Sequence, residues 1–184
     1  MGQPSRPLED LVVVGNGMAG MRTIEELLKL GGGRRYRIHV FGAEPHVNYN
    51  RILLSSVLAG DKSLADIVIN PRAWYEENGI TLITGDPVSR IDRQARTITS
   101  ASGRVVSYHR LLIATGSRPL APPIPGLELP GVSAFRDIAD VDKMLAAARE
   151  HRRAVVIGGG LLGLEAAWGL KQRGMSVALV HLMP

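Results

Sequence analysis

Apolar residues along this chain follow two rhythms that recur in the same order near its two ends. Leu11–Val14 is an unbroken apolar run that enters a glycine cluster, the pattern of a strand buried on both faces of a parallel sheet. From Met18 to Leu30 the apolar positions Met21, Ile24, Leu27 and Leu28 make a helical stripe, stopped by Gly31-Gly32-Gly33. Tyr36–Phe41 alternates and predicts a second strand, completing a β-α-β unit. Ala154–Ile157, Leu161–Lys171 and Ser176–Val180 repeat that order.

The middle of the chain is less uniform. Residues 45–84 carry no sustained period, although Pro71–Glu77 reads as a short helix with proline at its first turn and Gly79–Ile83 as a strand. Residues 87–107 alternate around two turn signals, Asp92-Arg93-Gln94 and Ser100-Ala101-Ser102-Gly103, and predict a small antiparallel meander inserted as a crossover. Leu111–Ala114 is another buried strand, closing on Thr115-Gly116. Residues 117–135 hold Pro119, Pro122, Pro123, Pro125 and Pro130, too dense for a helix or central strand, so they form a connection. Asp137–Glu150 follows as a helix. The fold class is α/β: a Rossmann-like domain with an antiparallel meander over residues 1–118, a proline-rich connection over 119–136, and the first βαβ unit of a second Rossmann-like domain over 137–184.

Composition narrows the chemistry mainly by what is missing. The chain has no cysteine. Within it there is therefore no redox dithiol, thiolate zinc site or Cys-bound iron–sulfur cluster. The five histidines have no metal-ligand spacing, so no metal site is expected. Lysine and arginine outnumber acids 22 to 17, but the charges are scattered and only 4% of residues are aromatic, which argues against a nucleic-acid partner. The opening residues lack the basic and apolar segments of a signal peptide, and Arg6 breaks the myristoylation pattern. The expectation is a cytoplasmic protein with no membrane association.

Two motifs carry chemistry. Gly15-Asn16-Gly17-Met18-Ala19-Gly20 is a GxGxxG between strand and helix. Gly15 permits a tight turn, Gly17 lets backbone approach a pyrophosphate, and Gly20 allows close helix–strand packing. The helix N-terminus attracts the phosphate charge. Gly158-Gly159-Gly160-Leu161-Leu162-Gly163 repeats the device, with Gly158, Gly160 and Gly163 at the three positions. Two such turns in two βαβ contexts point to two dinucleotides. Glu44 follows the second strand, 24 residues past Gly20, where an acid accepts hydrogen bonds from a ribose. The corresponding place in the second unit falls near His181, with neither the acid of an NADH site nor the arginine of an NADPH site, so the coenzyme stays open.

Between the motifs stands Ala114-Thr115-Gly116-Ser117-Arg118-Pro119. Paired GxGxxG turns with this segment between them resemble the flavoprotein reductases that bind FAD first and NAD(P)H second. The resemblance implies that Ala114, Thr115 and Gly116 close over FAD, held at its other end by Gly15, Gly17, Met18, Ala19, Gly20 and Glu44. Tyr49-Asn50-Arg51-Ile52-Leu53-Leu54-Ser55 is similar to the YxRxxLS segment of rubredoxin and ferredoxin reductases, which implies Arg51 along the FAD. Those reductases often carry a lysine next; here Ser56 stands there. Over Leu11–Pro184 the resemblance is strongest to the flavoprotein part of NAD(P)H-dependent nitrite reductase large subunits. It implies Glu165 near the nicotinamide–flavin junction, though a carboxylate early in that helix also has a plain electrostatic reason. Trp74 and Trp168 read as packing residues.

The implied activity is FAD-dependent NAD(P)H oxidation, with electrons released to a downstream acceptor: sirohaem and iron–sulfur domains of a longer protein, or a separate rubredoxin or ferredoxin. Oligomeric state is left open. A rubredoxin or ferredoxin reductase, and a non-catalytic nucleotide-binding fragment, are the alternatives. The second unit is expected to be truncated.

Overall fold

A computed structural model describes residues 7–182. The first βαβ unit is β1 (Glu9–Val14), α1 (Met18–Lys29) and β2 (Tyr36–Phe41). After it come β3 (Asn48–Tyr49), α2 (Leu54–Ala59), β4 (Val68–Asn70), α3 (Arg72–Glu77) and β5 (Thr81–Ile83). Next are β6 (Val88–Asp92), β7 (Thr97–Ser100), β8 (Val105–Ser107) and β9 (Arg110–Ile113). The last elements are α4 (Ile138–Glu150), β10 (Arg153–Ile157), α5 (Leu161–Gln172) and β11 (Ser176–Val180).

Tertiary contacts divide the chain into two units. One runs to Tyr49 and resumes at Val68–Gly116; the other holds Asn50–Ile67 and everything from Ser117 on. The first unit is built on a parallel four-stranded sheet in the order β5-β2-β1-β9. Alternation sends successive β1 side chains to opposite faces. Leu11 and Val13 join Met21 and Ile24 of α1 and Tyr75 of α3 in one core. Val12 and Val14 join Phe41 and Ile98 in a second core on the other face. That second face is covered by the meander β6-β7-β8, whose strands pair antiparallel as its turn signals predict. Asp92 Oδ1 accepts from the backbone N–H groups of Gln94 and Ala95 at 3.0 and 2.9 Å, which builds the first of those turns.

A second polar anchor closes the meander. Asp86 accepts from Ser102 Oγ at 2.7 Å, Ser100 Oγ at 2.8 Å and the Ser102 N–H at 2.9 Å. Hydrogen bonds from Ser102 and then Ser100 hold its carboxyl below the usual range.

The second unit contains β10 and β11, paired parallel, with α5 between them in sequence. Asp137 caps α4, its Oδ1 accepting from the Asp140 N–H at 2.9 Å, while Asp140 Oδ2 accepts from the Arg136 N–H at 2.9 Å. α2 packs on α5 through Leu58, which leaves no room for a side chain at Gly169. Arg173, at the C-terminal end of α5, donates from Nε to the Leu58 carbonyl at 2.6 Å and from Nη2 to that of Val57 at 2.9 Å. Both carbonyls lie in the last turn of α2, where helical partners run out; that of Val57 also accepts from the Gly60 N–H at 3.2 Å. No helix among the described residues is long and apolar enough to cross a membrane.

Candidate dinucleotide site

The two GxGxxG segments form strand-to-helix turns. In the first, the Gly15 N–H donates to the Phe41 carbonyl at 2.8 Å and the Ala114 N–H donates to that of Val14 at 2.8 Å. The carboxyl ends of β1, β2 and β9 therefore meet at the glycine turn. Strand order also reverses here: from β1 the chain goes first to β2 on one side and much later to β9 on the other. Such switch points at strand carboxyl ends form the ligand crevices of open α/β sheets.

Glycine is required here for stated reasons. Gly15 has φ +114°, and a Cβ on it would collide with the Ala114 carbonyl oxygen. At Gly20 a Cβ would stand 3.0 Å from the Gly15 oxygen and 3.1 Å from Ala114 Cβ. Gly17 differs: nothing lies within 4 Å of the space its Cβ would fill. It is the N-cap of α1, it offers no side-chain cap, and the first turn carries no acid. Met18 and Ala19 supply the next N–H groups of that turn. Uncapped N–H groups, open space and a helix N-terminus make a cradle that fits a pyrophosphate. Thr115 and Gly116 continue from Ala114 along the same turn, with Gly116 at φ +75°.

Glu44 lies just past β2. Its Oε2 accepts from the Tyr49 hydroxyl at 2.7 Å and its backbone carbonyl from the Gly85 N–H at 2.9 Å. Gly42, two residues before it, abuts Asn16 of the glycine turn; a Cβ there would stand 3.0 Å from that of Asn16. The first unit thus assembles Gly15, Gly17, Met18, Ala19, Gly20, Glu44, Ala114, Thr115 and Gly116 around the ends of neighbouring strands.

Arg51 belongs to the other unit, where its Nη1 donates to the Arg136 carbonyl at 2.7 Å. In the second glycine turn the Gly158 N–H donates to the Val180 carbonyl at 2.8 Å, and Gly160 is the uncapped N-cap of α5. A Cβ at Gly163 would collide with the Gly158 oxygen, the close helix–strand approach expected of the third glycine. The His181 imidazole lies over Gly159, its Nδ1 accepting the Gly159 N–H at 3.1 Å. Glu165 and Trp168 of α5 line a shallow pocket of about 110 Å³ with Ser55, Ser56, Ala59 and Asp61. Ser56 and Glu165 therefore share one pocket. Trp168 is 57% exposed rather than packed, whereas Trp74 packs against the first core and meets Tyr75 edge to face.

Sequence reasoning missed three polar side chains. The Tyr49 hydroxyl orients Glu44, although the tyrosine opens the same segment that contains Arg51. The Tyr75 hydroxyl donates to Asn16 Oδ1 at 2.7 Å, and Asn16 Nδ2 donates to the His46 carbonyl at 3.2 Å. The asparagine between the first two glycines marks where to look, but its partner 59 residues away leaves no local signal.

A parallel sheet with a glycine turn at its switch point, and a second such turn downstream, define a dinucleotide-binding α/β protein. Comparison with known proteins agrees. Residues 9–184 match the pyridine nucleotide-disulphide oxidoreductase family, and the chain belongs to it. It is 53% identical over 176 residues to a nitrite reductase [NAD(P)H] of Bacillus subtilis, a match covering 96% of this chain and 22% of that protein. It is 51% identical to the assimilatory nitrate reductase electron transfer subunit of the same organism, covering 93% of this chain and 22% of that one. Among solved structures, NADH:rubredoxin oxidoreductase from Clostridium acetobutylicum superposes with a TM-score of 0.85 at 27% identity, over 96% of this chain and 45% of that one. The chain thus spans about a fifth of the length of these two Bacillus subtilis relatives.

Proposed function

We propose that this chain is the electron-entry part of an FAD-dependent NAD(P)H oxidoreductase, in the setting of an assimilatory nitrite reductase large subunit. The observation that carries the reading is the first glycine turn, where Gly15 is held against Ala114 while the Gly17 side stays open and uncapped. Gly15, Gly17, Met18, Ala19 and Gly20 would hold the pyrophosphate of FAD. Glu44, steadied by Tyr49, would accept from the ribose. Ala114, Thr115 and Gly116 would close the crevice, and Arg51 would supply a cation for the same cofactor. Gly158, Gly160 and Gly163 would receive the pyrophosphate of NAD(P)H, with Glu165 serving its nicotinamide end.

Bound FAD supplies the chemistry of accepting a hydride from the nicotinamide coenzyme and releasing electrons singly. The protein's own part is placement, and this suits a chain in which no cysteine is present. The boundaries 1–118, 119–136 and 137–184 belong to this proposal as its FAD-binding segment, connection and NAD(P)-binding segment. The acceptor is proposed to be a redox centre in a longer protein. Supporting it, identity to the nitrite reductase is 53% against 33% to the rhodocoxin reductase of Rhodococcus erythropolis. The cytoplasm is the proposed compartment.

Purified protein mixed with FAD and freed of excess by gel filtration should emerge yellow and oxidise NADH or NADPH with a dye as acceptor. Colourless protein that quenches no flavin fluorescence on titration would overturn the reading for this chain.

A further inference from the structure

Tyr75 is the largest fully buried side chain of the first unit's core, at 1% exposure. A phenylalanine would pack there equally well, whereas burying a hydroxyl without a partner is costly. This hydroxyl has partners in the binding loop. It donates to Asn16 Oδ1 at 2.7 Å, inside the glycine turn. Asn16 in turn donates from Nδ2 to the His46 carbonyl at 3.2 Å. A backbone hydrogen bond from Asn48 reaches the same phenol, whose pKa burial pushes up to about 12. It therefore stays a protonated donor across the working range of pH. Gly42 lets the Asn16 side chain lie close, since a Cβ there would come within 3.0 Å of it. The hydroxyl thus ties Asn16 of the glycine turn to Asn48 directly and, through Asn16, to His46.

We infer that the Tyr75 hydroxyl is a positioning group for the first glycine turn: through Asn16 it fixes the loop in the shape that admits the FAD pyrophosphate. It makes no contact with the nucleotide itself. This rests on the FAD reading of that turn. One neutral hydrogen bond fixing a loop corresponds to about a three- to tenfold change in affinity.

The test compares FAD titrations, followed by flavin fluorescence, for the full chain and for Tyr75→Phe, Asn16→Ala and the double variant, with thermal melts of each FAD-free protein. Tyr75→Phe should weaken FAD binding about three- to tenfold. Asn16→Ala should do about the same, and the double variant should be no worse than Asn16→Ala alone. A hydroxyl that only stabilised the core would lower the melting midpoint equally in both backgrounds and would leave FAD affinity unchanged in Tyr75→Phe. Wild-type affinity in Tyr75→Phe, or losses that simply add in the double variant, would overturn the inference while leaving the FAD reading intact. Failure of the unsubstituted chain to take up FAD would overturn both.

Discussion

The two glycine turns share a spacing and a strand-helix setting, yet they are held differently. At Gly15 the restraint comes from outside the turn: the Ala114 carbonyl at the end of β9 fills the space where a side chain would go. At Gly158 the backbone has nearly the same φ, +113° against +114°, but nothing lies within 4 Å of the added Cβ. There the tight spot is internal, where Gly163 meets the Gly158 oxygen. The sheets behind the turns differ in the same sense. β1 is flanked by β2 and β9, and both faces are covered. Among the described residues β10 has β11 as its neighbour, and Val155 and Ile157 are 65% and 60% exposed. A shared fingerprint therefore specifies a backbone shape, while neighbouring strands determine how firmly it is held.

Substitution at the first glycine of each turn should show the largest difference between them. Gly15→Ala combines an unfavourable φ with a backbone collision and should cost about 3 kcal/mol or more, with loss of FAD uptake. Gly158→Ala carries the strain alone and should cost about 1 kcal/mol. Thermal melts of both variants, with FAD titration of the first, measure the difference; equal losses would erase it.

The cover on the first sheet gives a second, pH-dependent handle. Asp86 is held ionised by Ser102 and Ser100, so its folded pKa lies below that of the unfolded chain. The stability it contributes is present above the unfolded value, about 4, and is lost as pH falls through the lower folded value. Asp86→Asn should lower the melting midpoint at neutral pH, and the gap to wild type should close on acidification. A gap constant with pH would show that the carboxylate's charge is irrelevant to the meander.

The smallest expected effect concerns the second unit. Ser56→Lys would place an ammonium in the pocket shared with Glu165, a partly exposed pair that should raise the melting midpoint by about 1–3 °C. Adding Glu165→Gln should cancel that gain. A gain that survives would mean the two positions do not pair.

The features legible from sequence were those with a local signature. β1, α1 and β2 could be read because a four-residue apolar run, a helical stripe and an alternating run each fill one element. The meander could be read because Asp92 and Gly103 mark its turns. The stretch containing β3, α2 and β4 could not. A six-residue helix is too short to show a period, and α2 is held by Leu58 against Gly169 and by Arg173, over 110 residues away. In the candidate site, glycines and Glu44 announce themselves by spacing. The Tyr75–Asn16 and Tyr49–Glu44 bonds depend on chain segments that only folding brings together.

The division of the chain also sets an order of assembly. The four described strands of the first sheet all lie before residue 114, so they can consolidate early on the ribosome. α2 is made after β1 and β2 and before β5 and β9, yet the helix it packs on and the arginine that caps it arrive only at residues 161–173. Leu58 must therefore wait with its apolar surface uncovered through roughly a hundred residues of synthesis, at elongation rates about five seconds or more. Over that interval of nascent-chain folding, this short helix is open to chaperone capture.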